Sequence, residues 1–65
     1  MSLIKIAGDC GSNDCPGAWT TSASADVLVQ GRLRTDITDI QPSAGEVLIE
    51  VPAEIILEAA RALGR

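Results

Sequence analysis

The feature that most constrains this chain is a change of period at a proline. Residues 46–51, EVLIEV, alternate: Val47, Ile49 and Val51 face one side, Leu48 and Glu50 the other. Beyond Pro52 the spacing becomes helical, with Ala53, Ile56, Leu57, Ala60 and Leu63 on one apolar face. Period two marks a strand and period 3.6 an amphipathic helix. Proline suits the first turn of a helix, because the N–H it lacks would have no intrahelical partner there. Glu54 in the first turn and Arg61 and Arg65 near the end complement the helix dipole, and Gly64 is a natural stop. Ile55, Ala59 and Ala62 make a second, weaker stripe. A helix apolar over so wide an arc is expected to be buried twice. The main stripe would lie on the sheet, and Ile55 and Ala59 would face a partner.

The strands that this helix covers read out of the remaining sequence. Residues 3–7, LIKIA, form a short strand with Leu3, Lys5 and Ala7 on one face and Ile4 and Ile6 on the other. Residues 18–21, AWTT, suit a pleated surface, and 22–25 form a polar connection. Residues 26–35, DVLVQGRLRT, give the clearest strand. Val27, Val29 and Leu33 share one face, and Leu28, Gln30, Arg32 and Arg34 the other. Gly31 within it points to a bulge, a bend or a close backbone approach. Residues 36–45 connect, and the spacing of Ile37 and Ile40 predicts a single helical turn opening at Thr35 or Asp36 and ending by Pro42. The expected fold is α+β: one domain over 1–65, with a small antiparallel sheet of three or four strands covered by one C-terminal helix.

Composition narrows what such a domain can do. A folded chain of 65 residues buries only about 60% of its unfolded surface, so a staple or a partner commonly completes its stability. Hydrophobic residues make up 46% of the chain, yet it has no Phe or Tyr, and Trp19 is its one aromatic residue. The core therefore rests on Ile, Leu, Val and Ala, which favours a partner surface. Trp19 is read either as the one large core anchor, the commoner fate of Trp, or as an interface hot spot. The net charge is −4 and the five basic residues are dispersed. That is a poor footprint for phosphate neutralisation, so direct nucleic-acid binding is not expected. Arg32 and Arg34 alternate on one strand face. They read as a docking stripe for an acidic partner, against the plainer role of keeping a strand edge from aggregating.

No segment reaches membrane-spanning length, and the N-terminal apolar run is too short and too interrupted for a signal-peptide core. The chain is expected in the cytoplasm. With no His and no Tyr, general acid–base catalysis is poorly equipped, no phosphate-binding glycine fingerprint is present, and an enzyme is not expected.

The stretch GDCGSNDCPG, residues 8–17, holds both cysteines, Cys10 and Cys15. Zinc sites in small domains commonly take four Cys or His ligands. Here two thiolates would need Asp9 and Asp14, or the same pair from a second chain in a homodimer. A redox pair more usually has two intervening residues beside a helix N-terminus. A disulfide across so short a loop gains little entropy and is disfavoured in the cytosol. Free thiols packed under a turn are the plainest reading. Zinc, redox chemistry, a disulfide and free thiols all stay open.

Across residues 10–63 the order of motifs, CGSNDCP, VLVQG and IEVPAEII, resembles a group of short uncharacterised actinobacterial proteins with C-P, V-Q-G and V-P-x-E patterns. More distantly it is similar to the domain of unknown function 397 family. The chain lacks that family's Trp-Arg-Lys-Ser-Ser opening, its Val-Arg-Asp-Ser strand and its helix Trp. The resemblance implies a small partner of a helix-turn-helix transcriptional regulator, acting in development or secondary metabolism, and it carries over no catalytic or binding residue. The bias toward Ala, Arg, Gly and Asp over Lys fits a high-GC bacterium.

Overall fold

The computed structural model describes residues 2–8 and 15–64. Strands β1 (Leu3–Ala7), β2 (Gly17–Thr21) and β3 (Ser24–Gln30) form an antiparallel meander in the order β1-β2-β3. β4 (Arg32–Arg34) and β5 (Leu48–Glu50) pair antiparallel as a second sheet. Helix α1 (Ala53–Ala62) follows and packs on β1 and β2. The fold is α+β with one C-terminal helix.

The strand expected over 26–35 breaks at Gly31, and the two halves join different sheets. The cause is steric. A Cβ on Gly31 would collide with the Val51 side chain and stand 2.6 Å from the Glu50 carbonyl oxygen. Gly31 is therefore the point, one residue before the β4–β5 ladder, where the backbone of Glu50 and the Val51 side chain close in on the chain between β3 and β4. The connection between β2 and β3 is also tighter than its sequence suggests. Only Ser22 and Ala23 turn, with the Ala23 N–H donating to Thr21 Oγ1 at 3.0 Å. Ser22 then clamps the start of β1: its N–H donates to the Ser2 carbonyl, and its Oγ accepts from the Ser2 N–H, both at 3.0 Å.

The helical turn expected near Ile37 and Ile40 does not form; 35–42 is irregular. The Asp36 carboxylate takes both N–H groups of the Arg34 fork, at 2.9 Å each, so it is not free to cap a helix. Ile37 and Ile40 stay exposed and gain no burial that would hold such a turn. The loop closes instead at Gly45, whose φ of +85° lets the Glu46 N–H reach the Ser43 carbonyl.

Two faces differ from their expected orientation. A β-bulge between Lys5 and Ala7 sets Ala7 opposite Ala18. Ala7 thereby joins Ile6 on the helix side, where strict alternation would have placed it outside. On α1 the phase is rotated by about a third of a turn from the main apolar stripe. The buried helix residues are Ile55 and Ala59, while Ile56, Leu57 and Leu63 are 45–54% exposed. The sheet explains this choice. Its buried face is Ala7 and Ala18, both 1% exposed, with Ile6, Val27 and Val51 around them. A face of small residues admits a helix at close range only through a small contact such as Ala59, with Ile55 filling the remaining gap. Glu58 pins the rotation, its Oε1 accepting from the Gly8 N–H at the end of β1 at 3.1 Å. Ile55 and Ala59, expected at a partner interface, are the protein's own core.

Candidate interaction surface

The pairing of β1, β2 and β3 sets Lys5, Trp19 and Leu28 side by side. Cross-strand neighbours share a face, and this face lies opposite the one carrying Ala18 and Val27, against which α1 packs. Trp19 is thus half-buried on the outer side of the sheet rather than in the core. Its ring has the Lys5 Nζ 5.6 Å from the centroid, within cation–π range. Leu3, Trp19, Leu28, Val29 and Gln30 line a shallow, mostly apolar groove of about 340 Å³. Leu3 is 54% and Leu28 46% exposed. The result is a shallow exposed apolar patch with Trp19 on its central strand and Lys5 and Gln30 beside it.

The two arginines separate. Arg34 is committed within the protein. Its Nε and Nη2 grip Asp36, and its Nη1 donates to Glu50 Oε2 at 3.0 Å. The hydrogen bonds to Asp36, and then the charge of Glu50, hold the Arg34 pKa above its ordinary value; Arg34 in turn holds the Asp36 carboxyl below its own. Arg34 ties β4, the following loop and β5 together. Arg32 is exposed, opposite Glu50 in the β4–β5 register, and lines a groove with Pro16, Val51 and Pro52. Of the expected pair it is the more exposed, and it lies on a different sheet from Trp19.

Cys15 is disulfide-bonded. The chain has one other cysteine, Cys10, which lies outside the described residues. The free-thiol reading is thereby corrected, because the sulfur that would pack under the turn is bridged. A bridged sulfur also has no thiolate to offer zinc. Among the described residues no three His, Cys, Asp or Glu side chains gather as a metal site.

No helix among the described residues is long and apolar enough to cross a membrane. No protein-family model, curated protein or solved structure matches the chain. The resemblance to small actinobacterial proteins rests on the quoted motifs alone. What the fold and surface define is a small α+β protein whose chief chemical asset is exposed apolar area.

Proposed function

We propose that this chain is a non-enzymatic protein-interaction module, an adaptor or antagonist of a helix-turn-helix transcriptional regulator in an actinobacterium. The observation that carries the interaction reading is the outer sheet face, where Leu3, Trp19 and Leu28 lie exposed or half-buried around one groove. The acidic net charge of −4 supports a protein partner over nucleic acid. The motif resemblance supplies the class of partner. Affinity-tagged chain in a native host should recover a helix-turn-helix protein, and Leu28→Asp, at an exposed edge-strand position, should lose it. Repeated recovery of nothing specific, or equal recovery by Leu28→Asp, refutes the reading.

A second reading, a redox-responsive module, is favoured by the bridged state of Cys15. It makes partner capture depend on reductant; capture unchanged by reduction removes it. The interaction reading places the chain in the cytoplasm, where the glutathione pool opposes a lasting bridge. Thiol trapping in host cells tests that placement.

A further inference from the structure

Glu58 reaches from the helix to the chain beside the cysteines. Its Oε1 accepts from the Gly8 N–H at 3.1 Å, two residues before Cys10. Gly8 is itself closely placed. Its φ is +98°, and a Cβ there would stand 2.7 Å from the Pro16 carbonyl oxygen and 3.2 Å from the Gly17 Cα. The chain leaving β1 at Gly8 is thus pressed against the chain entering β2 at Pro16, one residue after the bridged Cys15. Gly8, Cys15 and Pro16 line one groove of about 350 Å³ with Pro52, Ile55 and Glu58. We infer that the bridge is a lock on helix α1. Closed, it holds Gly8 where its N–H meets Glu58; opened, it releases that contact. The inference rests on the redox-responsive reading of Cys15 and names what the bridge controls.

The physical case is preorganisation. The β1–β2 ladder ends at Ala7 and Ala18, so Gly8 lies beyond the last strand pair. Glycine has no Cβ to confine it to one backbone region. What keeps it in place is its contact with Pro16 and the covalent tie one residue beyond. Glu58 is exposed, and a hydrogen bond made in water contributes little once its donor is free to wander. Opening the bridge removes the covalent tie between the two chain ends that meet at Gly8 and Pro16. Helix α1 then keeps Ile55 and Ala59 as its hold on the sheet and loses the contact that pins its rotation.

The opening is ordinary thiol–disulfide exchange with a dithiol reductant. One thiolate of the reductant attacks a sulfur of the bridge, forms a mixed disulfide and expels the other sulfur as a thiolate. The reductant's second thiolate then displaces the remaining sulfur. The chain ends with two thiols, carrying the two protons the reductant gave up, and the reductant ends as a disulfide. Coupling is reciprocal. If the closed bridge favours the Gly8–Glu58 contact, that contact makes the bridge harder to reduce.

Equilibrating the purified full chain with mixtures of reduced and oxidised dithiothreitol tests this. Alkylation and mass spectrometry read the thiol state, and far-UV circular dichroism checks that each variant stays folded. Glu58→Ala removes the acceptor and should make the bridge about fivefold easier to reduce, at the low end of such couplings. For a two-electron couple that is a potential raised by about 21 mV. Glu58→Gln keeps an acceptor oxygen and should stay near wild type. Glu54→Ala removes a carboxylate from the same groove, one that makes no bond to Gly8, and should also leave the potential in place. A merely structural Glu58 would affect oxidised and reduced chains alike and move no potential. In the wild type, hydrogen exchange at the Gly8 amide should quicken about fivefold on reduction. A potential unmoved by Glu58→Ala overturns the inference, as does an equal shift in Glu58→Gln or Glu54→Ala. A Gly8 amide equally protected in both states overturns it too. Neither readout uses a partner. Capture that ignores reductant therefore ends the redox-responsive reading, and an unmoved potential ends this one, each without the other.

Discussion

Replacing Ile55 and Ile56 by alanine, one at a time, tests the rotation of the helix. The two residues are chemically identical neighbours that differ in burial: 9% exposed for Ile55, 52% for Ile56. Ile55→Ala removes three carbons from the core, at about 0.8 kcal/mol each, plus a cavity term. Ala7, Ala18 and Ala59 around the site are small and backbone-bound, so they cannot swing in to fill the space. The expected cost is about 3 kcal/mol. Stabilities of ~0.05–0.15 kcal/mol per residue put the whole domain at roughly 3–10 kcal/mol, so this one change brings the fold near its limit. Ile56→Ala gives up only about half the transfer energy and gains helix propensity, leaving a cost of ~0.5–1 kcal/mol in the protomer. Urea denaturation followed by circular dichroism measures both. It is run at several protein concentrations, so that any contribution of self-association shows as a concentration-dependent midpoint. Extrapolated to the monomer, the gap between the variants should be about 2 kcal/mol. Equal costs, or a larger cost at Ile56, would mean that α1 presents its main apolar stripe to the sheet and would refute the phase described above.

Gly31→Ala should destabilise by about 1–3 kcal/mol as the new methyl meets the Glu50 carbonyl and Val51; an unchanged urea midpoint would deny the close approach. Asp36 has its pKa lowered from 3.8 by Arg34, so its contribution is complete above that ordinary value and is lost as pH falls through the lowered one. The difference in melting temperature between wild type and Asp36→Asn should therefore be constant near neutrality and vanish in acid, and high salt should shrink it. The native chain should show no free thiol, and reduction should release two and add the mass of two hydrogens. Loss of the bridge should cost about 2 kcal/mol of unfolding free energy, read from urea denaturation; free thiols in the aerobically purified chain would contradict the bridged Cys15.

Local patterns carried much of this fold. The alternation in 3–7 and 46–51 is strand pattern, the 3.6 spacing after Pro52 is helix, and Gly64 stops it with a φ of +80°. Each follows from interactions among residues close in sequence: side-chain direction, the missing proline N–H, and the freedom of glycine. Gly31 was legible as a special position, although its reason was not. The obstacle there, Val51, is twenty residues away in sequence. The candidate surface was legible in part. Trp19 is a natural anchor, but its face depends on pairing with Lys5 and Leu28, which strand order alone settles.

The amino-acid sequence was sufficient for the fold class, the terminal strand and the C-terminal helix, because period and turn chemistry act within a few residues; it did not foresee the break at Gly31 or the irregular course of 35–42. It also gave the helix two apolar stripes without ranking them correctly. Hydrophobicity favours the stripe of Ile56, Leu57 and Leu63, while burial went to Ile55 and Ala59. That choice belongs to tertiary packing. A bulge brought Ala7 beside Ala18, their small side chains left room only for a close, small contact, and Glu58 reached back to Gly8 to hold the helix in that rotation. The same packing committed Arg34 to Asp36 and Glu50 and left the larger apolar stripe facing outward.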